Sequence, residues 1–375
     1  MYTIIANRDR RIILAGSFVV SLSFMPYKRG QIGHFIKGAS AAAVLCFFSA
    51  RGLFAGTLAG TTAANFLKIP VAVIPAALGE SYTAMVGPDS ILYNPAGLGL
   101  LSYSSFSGGH NQYIDSITQE YAALTYRSAY GTVGACFSML SSGQITAYDK
   151  DDMIIGHTGT SHRFWALSFA QSWPHFNQDI GKLDPMLITP SWTKVSPVLD
   201  YRPKTYRVSV GASLKNVSER LDKMSSSAYT LDAGAMLVLP RHFHLGASAQ
   251  NIGGTQKFFA ETYKLPGVLR AGAAKDFHSV NDILIVTAVS DIVKYSDAPV
   301  FNTAGIELDI MRMFQFRLGY KSRRDAGSNV SGGFGMNFDR MTDKDSFIHG
   351  ARVDYSYLDY GALGVTHRIG MQLIW

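Results

Sequence analysis

The stretch that decides the fold is Met313-Phe-Gln-Phe-Arg-Leu-Gly-Tyr-Lys321. Phe314, Phe316, Leu318 and Tyr320 take one phase, while Gln315, Arg317, Gly319 and Lys321 take the other. Successive side chains of a β-strand point to opposite faces, so this segment makes a strand with one apolar and one polar face. Residues 241–251 repeat the pattern, with Phe243, Leu245, Ala247 and Ala249 against His242, His244, Ser248 and Gln250. A soluble β-sandwich also alternates, with one face on a core. Many strands of even length behind an export leader point instead to a sheet between lipid and water.

Working outward, strand candidates follow one another at residues 102–109, 119–127, 129–140, 162–173, 205–216, 228–239 and 241–251. They continue at 268–277, 282–293, 300–311, 313–321, 330–339, 347–358 and 365–375. Spaced about 20 residues apart, connectors included, they suit membrane strands of about 9–11 residues. Charged residues make up 16% of the 375-residue chain, and Gly (36), Tyr (19) and Phe (22) are plentiful. That charge content is low against roughly 25% in a soluble domain. Mean hydropathy is only +0.09, and no apolar run after residue 75 is long enough for a bundle of membrane helices. The expected fold is all-β: an antiparallel transmembrane β-barrel of about 14 strands with a small N-terminal helical and loop hatch in the lumen. Its expected place is the bacterial outer membrane, among outer-membrane lipids.

Connector lengths test this independently, because such barrels have short periplasmic turns and longer outer loops. Residues 127–129, 240 and 312 make tight turns; 141–161, 253–266 and 322–329 are long. The segment 174–204 breaks the rule, being long and Pro-rich on the side of the turns. It is either a periplasmic excursion or holds further strands.

Ahead of the strands stand two basic-then-apolar units: Arg8 to Arg11 before 12–25, and Lys28, Arg29 and Lys37 before 38–49. The second apolar core has the length of a signal-peptide h-region and is short for a membrane span. Residues 1–60 read as a signal or targeting segment, with Met25 as an alternative start and small residues at Ala55, Gly56, Ala59 and Gly60 as cleavage sites. The competing reading is a helical anchor. Residues 61–101 then form the hatch and 102–375 the barrel. At the other end Ile369, Met371, Leu373 and Trp375 alternate up to an aromatic last residue. That ending resembles the signal by which the barrel-assembly machinery recognises its clients.

The formal charge of +7 is scattered without a dense basic run, which argues against nucleic acid as a partner. Cys46 and Cys136 cannot make a disulfide framework, and Cys136 reads as a small apolar filler. There is no nucleophile elbow, no His-Glu-x-x-His and no phosphate-binding glycine loop, so no enzyme, cofactor or metal site is expected. His242 and His244 read as polar filler facing the lumen. Asp149, Asp151 and Asp152 have carboxylates that suit calcium, yet a solvated loop is the better reading.

The stretch Ala77-Leu-Gly-Glu-Ser-Tyr-Thr-Ala-Met-Val-Gly-Pro-Asp-Ser-Ile-Leu-Tyr-Asn-Pro-Ala-Gly-Leu98 resembles the opening of PorV/PorQ-type proteins, a branch of the FadL-like outer-membrane barrels. The segments 210–216, 231–234, 246–253 and 353–357 are also similar, in the same order, and Gly87-Pro88 departs from the usual pattern. The resemblance implies a 14-stranded barrel whose hatch carries the motif Asn94, Pro95, Ala96 and Gly97. It implies two functions: passive uptake of hydrophobic small molecules such as long-chain fatty acids, or a secretion and surface-attachment system in which the barrel binds cargo proteins. The residues themselves support a compact kink. Pro fixes φ and lacks a donor, Asn can cap a turn, and Ala-Gly lets backbone pass close to a wall. Such a kink either seats and moves a hatch or is a rigid turn. The ligand-binding residues are not legible.

Overall fold

The computed structural model describes residues 60–173, 206–222, 224–258, 261–279, 283–323, 327–338 and 350–375. The leader reading of residues 1–60 and the Pro-rich connector 174–204 lie outside the described residues, apart from Gly60.

The strands are β1 (Ser105–Gln112), β2 (Thr118–Ser128), β3 (Gly131–Ser141), β4 (Ile145–Tyr148), β5 (Ile154–Thr158), β6 (Thr160–Trp173), β7 (Arg207–Leu221), β8 (Met224–Leu239) and β9 (Phe243–Ile252). They continue as β10 (Thr255–Phe258), β11 (Glu261–Lys264), β12 (Val268–His278), β13 (Leu284–Tyr295), β14 (Phe301–Ile310), β15 (Phe314–Lys321), β16 (Val330–Asn337), β17 (Ala351–Asp359) and β18 (Val365–Ile374). Fourteen of them close into one antiparallel barrel, in which β1 pairs with both β2 and β18. These are the fourteen expected strands.

The remaining four form two small hairpins, β4–β5 and β10–β11, inside the connectors 141–161 and 253–266. Four-residue strands carry too little alternation to be read from sequence. In the first hairpin, Asp149 Oδ1 accepts from the amides of Asp151 and Met153, both at 2.9 Å. That carboxylate organises a turn, in keeping with a surface-loop role. A further departure is on the same end of the barrel. β6, β7 and β8 run 14, 15 and 16 residues, and β7 and β8 stay paired as far as Leu221 and Met224. A long ribbon replaces a long loop there.

The pleat puts apolar residues outside. On β15 Phe316 and Leu318 are 46% and 59% exposed, while Gln315 and Arg317 are 2% and 4% exposed. Leu124, Val133, Phe169, Leu245, Leu269 and Ile369 continue the exposed apolar belt on other strands. Soluble proteins do the reverse. Closing the sheet satisfies every strand edge, which a bilayer demands because it offers no hydrogen bonds to a backbone. A closed antiparallel barrel, apolar outside and polar inside, is the outer-membrane architecture, and the bacterial outer membrane is where this protein belongs.

The chain enters β1 from the end where Ser104 and Trp375 exchange two backbone hydrogen bonds of 3.0 Å. The turns between β2 and β3, β8 and β9, and β14 and β15 are tight and lie at this end. Its three tight turns mark it as the periplasmic end, and the two hairpins stand at the outer mouth.

Candidate functional site

The lumen is filled by the chain's own residues 60–104, which run as short helical turns at Asn65–Lys68, Val73–Ala77, Ser90–Tyr93 and Pro95–Leu100. No turn is longer than six residues, because Pro and Gly interrupt each one. Their stability comes from the wall around them, since helices this short are not stable alone.

The segment begins at the outer mouth. Ala63 donates to Lys264 O and Ala64 to Glu219 Oε2, each at 3.0 Å. Lys68 Nζ and Thr62 Oγ1 both reach Asp297 Oδ2, at 2.6 and 2.7 Å. Burial pushes the Asp297 carboxyl up, but the hydrogen bonds from Lys68 and Thr62 outweigh it and hold the group below the usual carboxylate range. Phe66 lies against His162 and Phe164.

The chain then descends and crosses to β12–β15. The amides of Tyr82 and Thr83 and the Thr83 hydroxyl all donate to Asp291 Oδ2, at 3.0, 3.0 and 2.6 Å. Ser81 Oγ bonds Thr303 Oγ1 at 2.7 Å. Glu80 pairs with Lys321 at 2.7 Å, and the Arg270 guanidinium stacks over the Tyr93 ring at 5.0 Å. Sequence reasoning placed residues 77–98 in the hatch and Lys321 on a polar face, but it missed the partners Arg270, Asp291 and Thr303.

The four motif residues stand against β6–β8. Asn94 is fully buried and makes three bonds: Nδ2 donates to Thr83 O (2.8 Å) and to Ala235 O on β8 (3.2 Å), and Oδ1 accepts from Ala96 N (3.2 Å). It therefore caps the turn Pro95–Leu100, with Pro95 at a first-turn position where no N–H is needed. Ala96 O accepts from Ser209 Oγ at 2.6 Å. Tyr93 O and Leu92 O accept from Ser248 Oγ and Gln250 Nε2, both at 2.7 Å. Gly97 is needed for closeness, since a Cβ there would lie 2.6 Å from Ser90 Cβ.

The wall is cut to fit this segment. Gly211 and Gly234 face each other across β7 and β8. A Cβ on Gly211 would lie 2.5 Å from the Pro95 carbonyl carbon, and one on Gly234 would overlap Asn94 Oδ1. Gly305 and Gly319 pair across β14 and β15, and the backbone of Leu78 and Gly79 passes over them. These glycines let two backbones approach, which any side chain would prevent.

Above the segment is a cavity of about 440 Å³ at the outer mouth, walled by Tyr113, Tyr295, Phe301, Tyr360 and Leu363, with Lys68, Lys321 and Glu80 also on its lining. Lys68, Ile69 and Pro70 also line a second, smaller space of about 50 Å³ bounded by Leu92, Tyr93, Gln250 and Arg270. There the fully buried run from Leu98 to Leu101 and the turns before it occupy the lumen. Below them, Arg317 bonds Glu307 (2.5 Å) and Asp354 (2.8 Å), and Arg352 bonds Asp354 (2.9 Å). The outer cavity mixes aromatic walls with ion pairs, whereas the inner end is ionic.

No family model matches the chain, and no curated protein matches it. Among solved structures it is similar to the Pseudomonas putida toluene transporter TodX, at TM-score 0.46 and 11% identity over 81% of this chain and 96% of that one. It is similar to the monoaromatic hydrocarbon channel CymD, at TM-score 0.45 and 10% identity over 81% and 96%. A Pseudomonas aeruginosa FadL homologue follows at TM-score 0.39 and 8% identity over 82% and 97%.

Proposed function

We propose that the protein is an outer-membrane channel for passive uptake of small hydrophobic molecules, long-chain fatty acids among them. Residues 61–101 are its hatch and Asn94, Pro95, Ala96 and Gly97 the element on which the hatch seats and moves. The observation that carries this reading is the aromatic-walled cavity of about 440 Å³ at the outer mouth, with a second space of about 50 Å³ behind Lys68, Ile69 and Pro70, against the buried luminal segment. Ligand sites are concave, mostly apolar and supplied with a few polar groups that orient the guest. Here Phe301, Tyr360 and Leu363 suit an apolar guest, and the ion pairs Lys68–Asp297 and Lys321–Glu80 supply the polar groups at the cavity edge. Residues 1–60 serve as the export leader, and β18, ending at Trp375, as the segment read by the barrel-assembly machinery.

The test is lipid bound to purified protein. Mass spectrometry of tag-free protein extracted in detergent is expected to find co-purified fatty acid. A fluorescent fatty acid is expected to bind Tyr360→Ala about tenfold more weakly than wild type, the effect of about 1.4 kcal/mol of lost apolar contact. No bound lipid, no probe binding and stable capture of a secreted protein would replace uptake with a PorV-like cargo-docking role.

A further inference from the structure

At the periplasmic end, where β8 turns into β9, three side chains converge that have no part in the passage above. His242 closes the turn, Asp276 and His278 end β12, and one donor atom of each lies within 4.8 Å of the other two. Strand pairing brings them together: Phe243 faces Lys275 in the β9–β12 register, and the Asp276 amide donates to His242 O at 3.1 Å. The two imidazoles stand 4.5 Å apart between ring centres, tilted by 34°.

Three details point to a ligand. His242 Nδ1 is buried and makes no hydrogen bond among the described residues, although a buried ring nitrogen ordinarily has a partner. Asp276 is buried, and its Oδ1 accepts from the Thr287 hydroxyl at 2.7 Å, which fixes the rotation of the carboxylate as outer partners do in metal sites. Arg241 and His242 both adopt positive φ, +64° and +58°, in a turn where Asn-Gly would relieve the backbone. The turn is therefore not built from the residues its geometry favours, and its second residue places an imidazole against His278.

Two imidazole nitrogens and one carboxylate oxygen select for zinc or a late first-row ion, not for calcium or magnesium, which require more oxygen ligands. We propose that His242, Asp276 and His278 bind one transition-metal ion of the zinc type, tying the β8–β9 turn to the end of β12 at the periplasmic rim. Three protein ligands leave a position facing solvent, so the ion is exchangeable. The site lies two residues beyond Ala274, which packs with Tyr82 and Ala84 of the luminal segment. The proposal stands whatever the channel carries.

Tag-free protein in detergent, dialysed against zinc chloride, is expected to retain about one zinc per chain when counted by mass spectrometry. His242→Asn and the isosteric Asp276→Asn should each weaken retention at least about tenfold, and Thr287→Val about tenfold, through the carboxylate it orients. His157→Asn, in the β4–β5 hairpin, should leave it unchanged. Heat-modifiable migration reports whether each variant has folded. Cobalt bound to the wild type gives a readout that needs no variant, a visible absorption band of the low-coordinate kind. Wild-type protein that retains no zinc, shows no such band, or retains as much zinc as the double variant His242→Asn, His278→Asn, would overturn the assignment.

Discussion

The two flanks of the luminal segment are held to the wall by different physics. On the β12–β15 flank, residues 80–83 are fastened by charge: Asp291 takes three donors, Lys321 pairs with Glu80, and Arg270 donates to Glu80 O. On the β6–β9 flank, residues 92–97 are fastened by neutral hydrogen bonds and by glycines that admit the backbone. Charge-assisted bonds are strong and depend on ionisation, roughly 1.5–3 kcal/mol each, whereas fit to a glycine floor depends on shape alone. A luminal segment so held has a latch and a seat. The latch can be released by chemistry, while the seat can be lost only by changing the wall.

Breaking the latch should have the largest effect. Asp291→Ala leaves the amides of Tyr82 and Thr83 buried with no acceptor. The expected loss is about 4 kcal/mol of docking stability. Amide exchange at Tyr82 and Thr83 should accelerate by more than about a hundredfold, and conductance in planar bilayers should rise. Unchanged protection at these two amides would mean that the β6–β9 flank holds the whole segment.

Filling the seat should cost less. Gly234→Val would drive a side chain into Asn94 Oδ1 and toward the Pro95 ring. Overpacking of this kind costs about 1–3 kcal/mol. Gly332→Val serves as the control, because a Cβ there meets only Arg317 O at 3.8 Å. If the two variants leave conductance equally low, the glycine floor is not what seats the motif.

How far this was legible follows from the same contrast. Alternation such as that of 313–321 marks a strand and its two faces, so all fourteen barrel strands could be read. The Asn94–Gly97 kink was legible from local turn chemistry. The receiving wall was not. Gly211, Gly234, Gly305 and Gly319 look like any strand glycine, and only their phase, inward where polar residues are expected, signals that something lies against them. Asp291 lies more than 200 residues from the amides it binds. Inward phase says that it faces the lumen, but no local pattern says that it meets a backbone there. The His242–Asp276–His278 cluster escaped for a related reason: His242 and His244 were read as filler within one strand, and the partners come from β12.

The joint between latch and seat carries its own sensitivity. Asp89 lies between the two flanks, beside Asp354 in a small cavity of about 20 Å³ against β1 and β18. Burial, and then the Asp354 carboxylate, raise its pKa to about 7, with Arg352 and Arg317 opposing the shift. The docked segment thus holds this proton more tightly than a solvated one does. Its contribution to docking is complete below about pH 4 and is lost as pH rises through about 7. Between pH 6 and 8 the ratio of docked to released segment should fall about tenfold, which is about 1.4 kcal/mol. Asp89→Asn cannot ionise, so the same interval should leave its conductance flat. A slope that survives in Asp89→Asn would move the sensitivity to another group on the latch side.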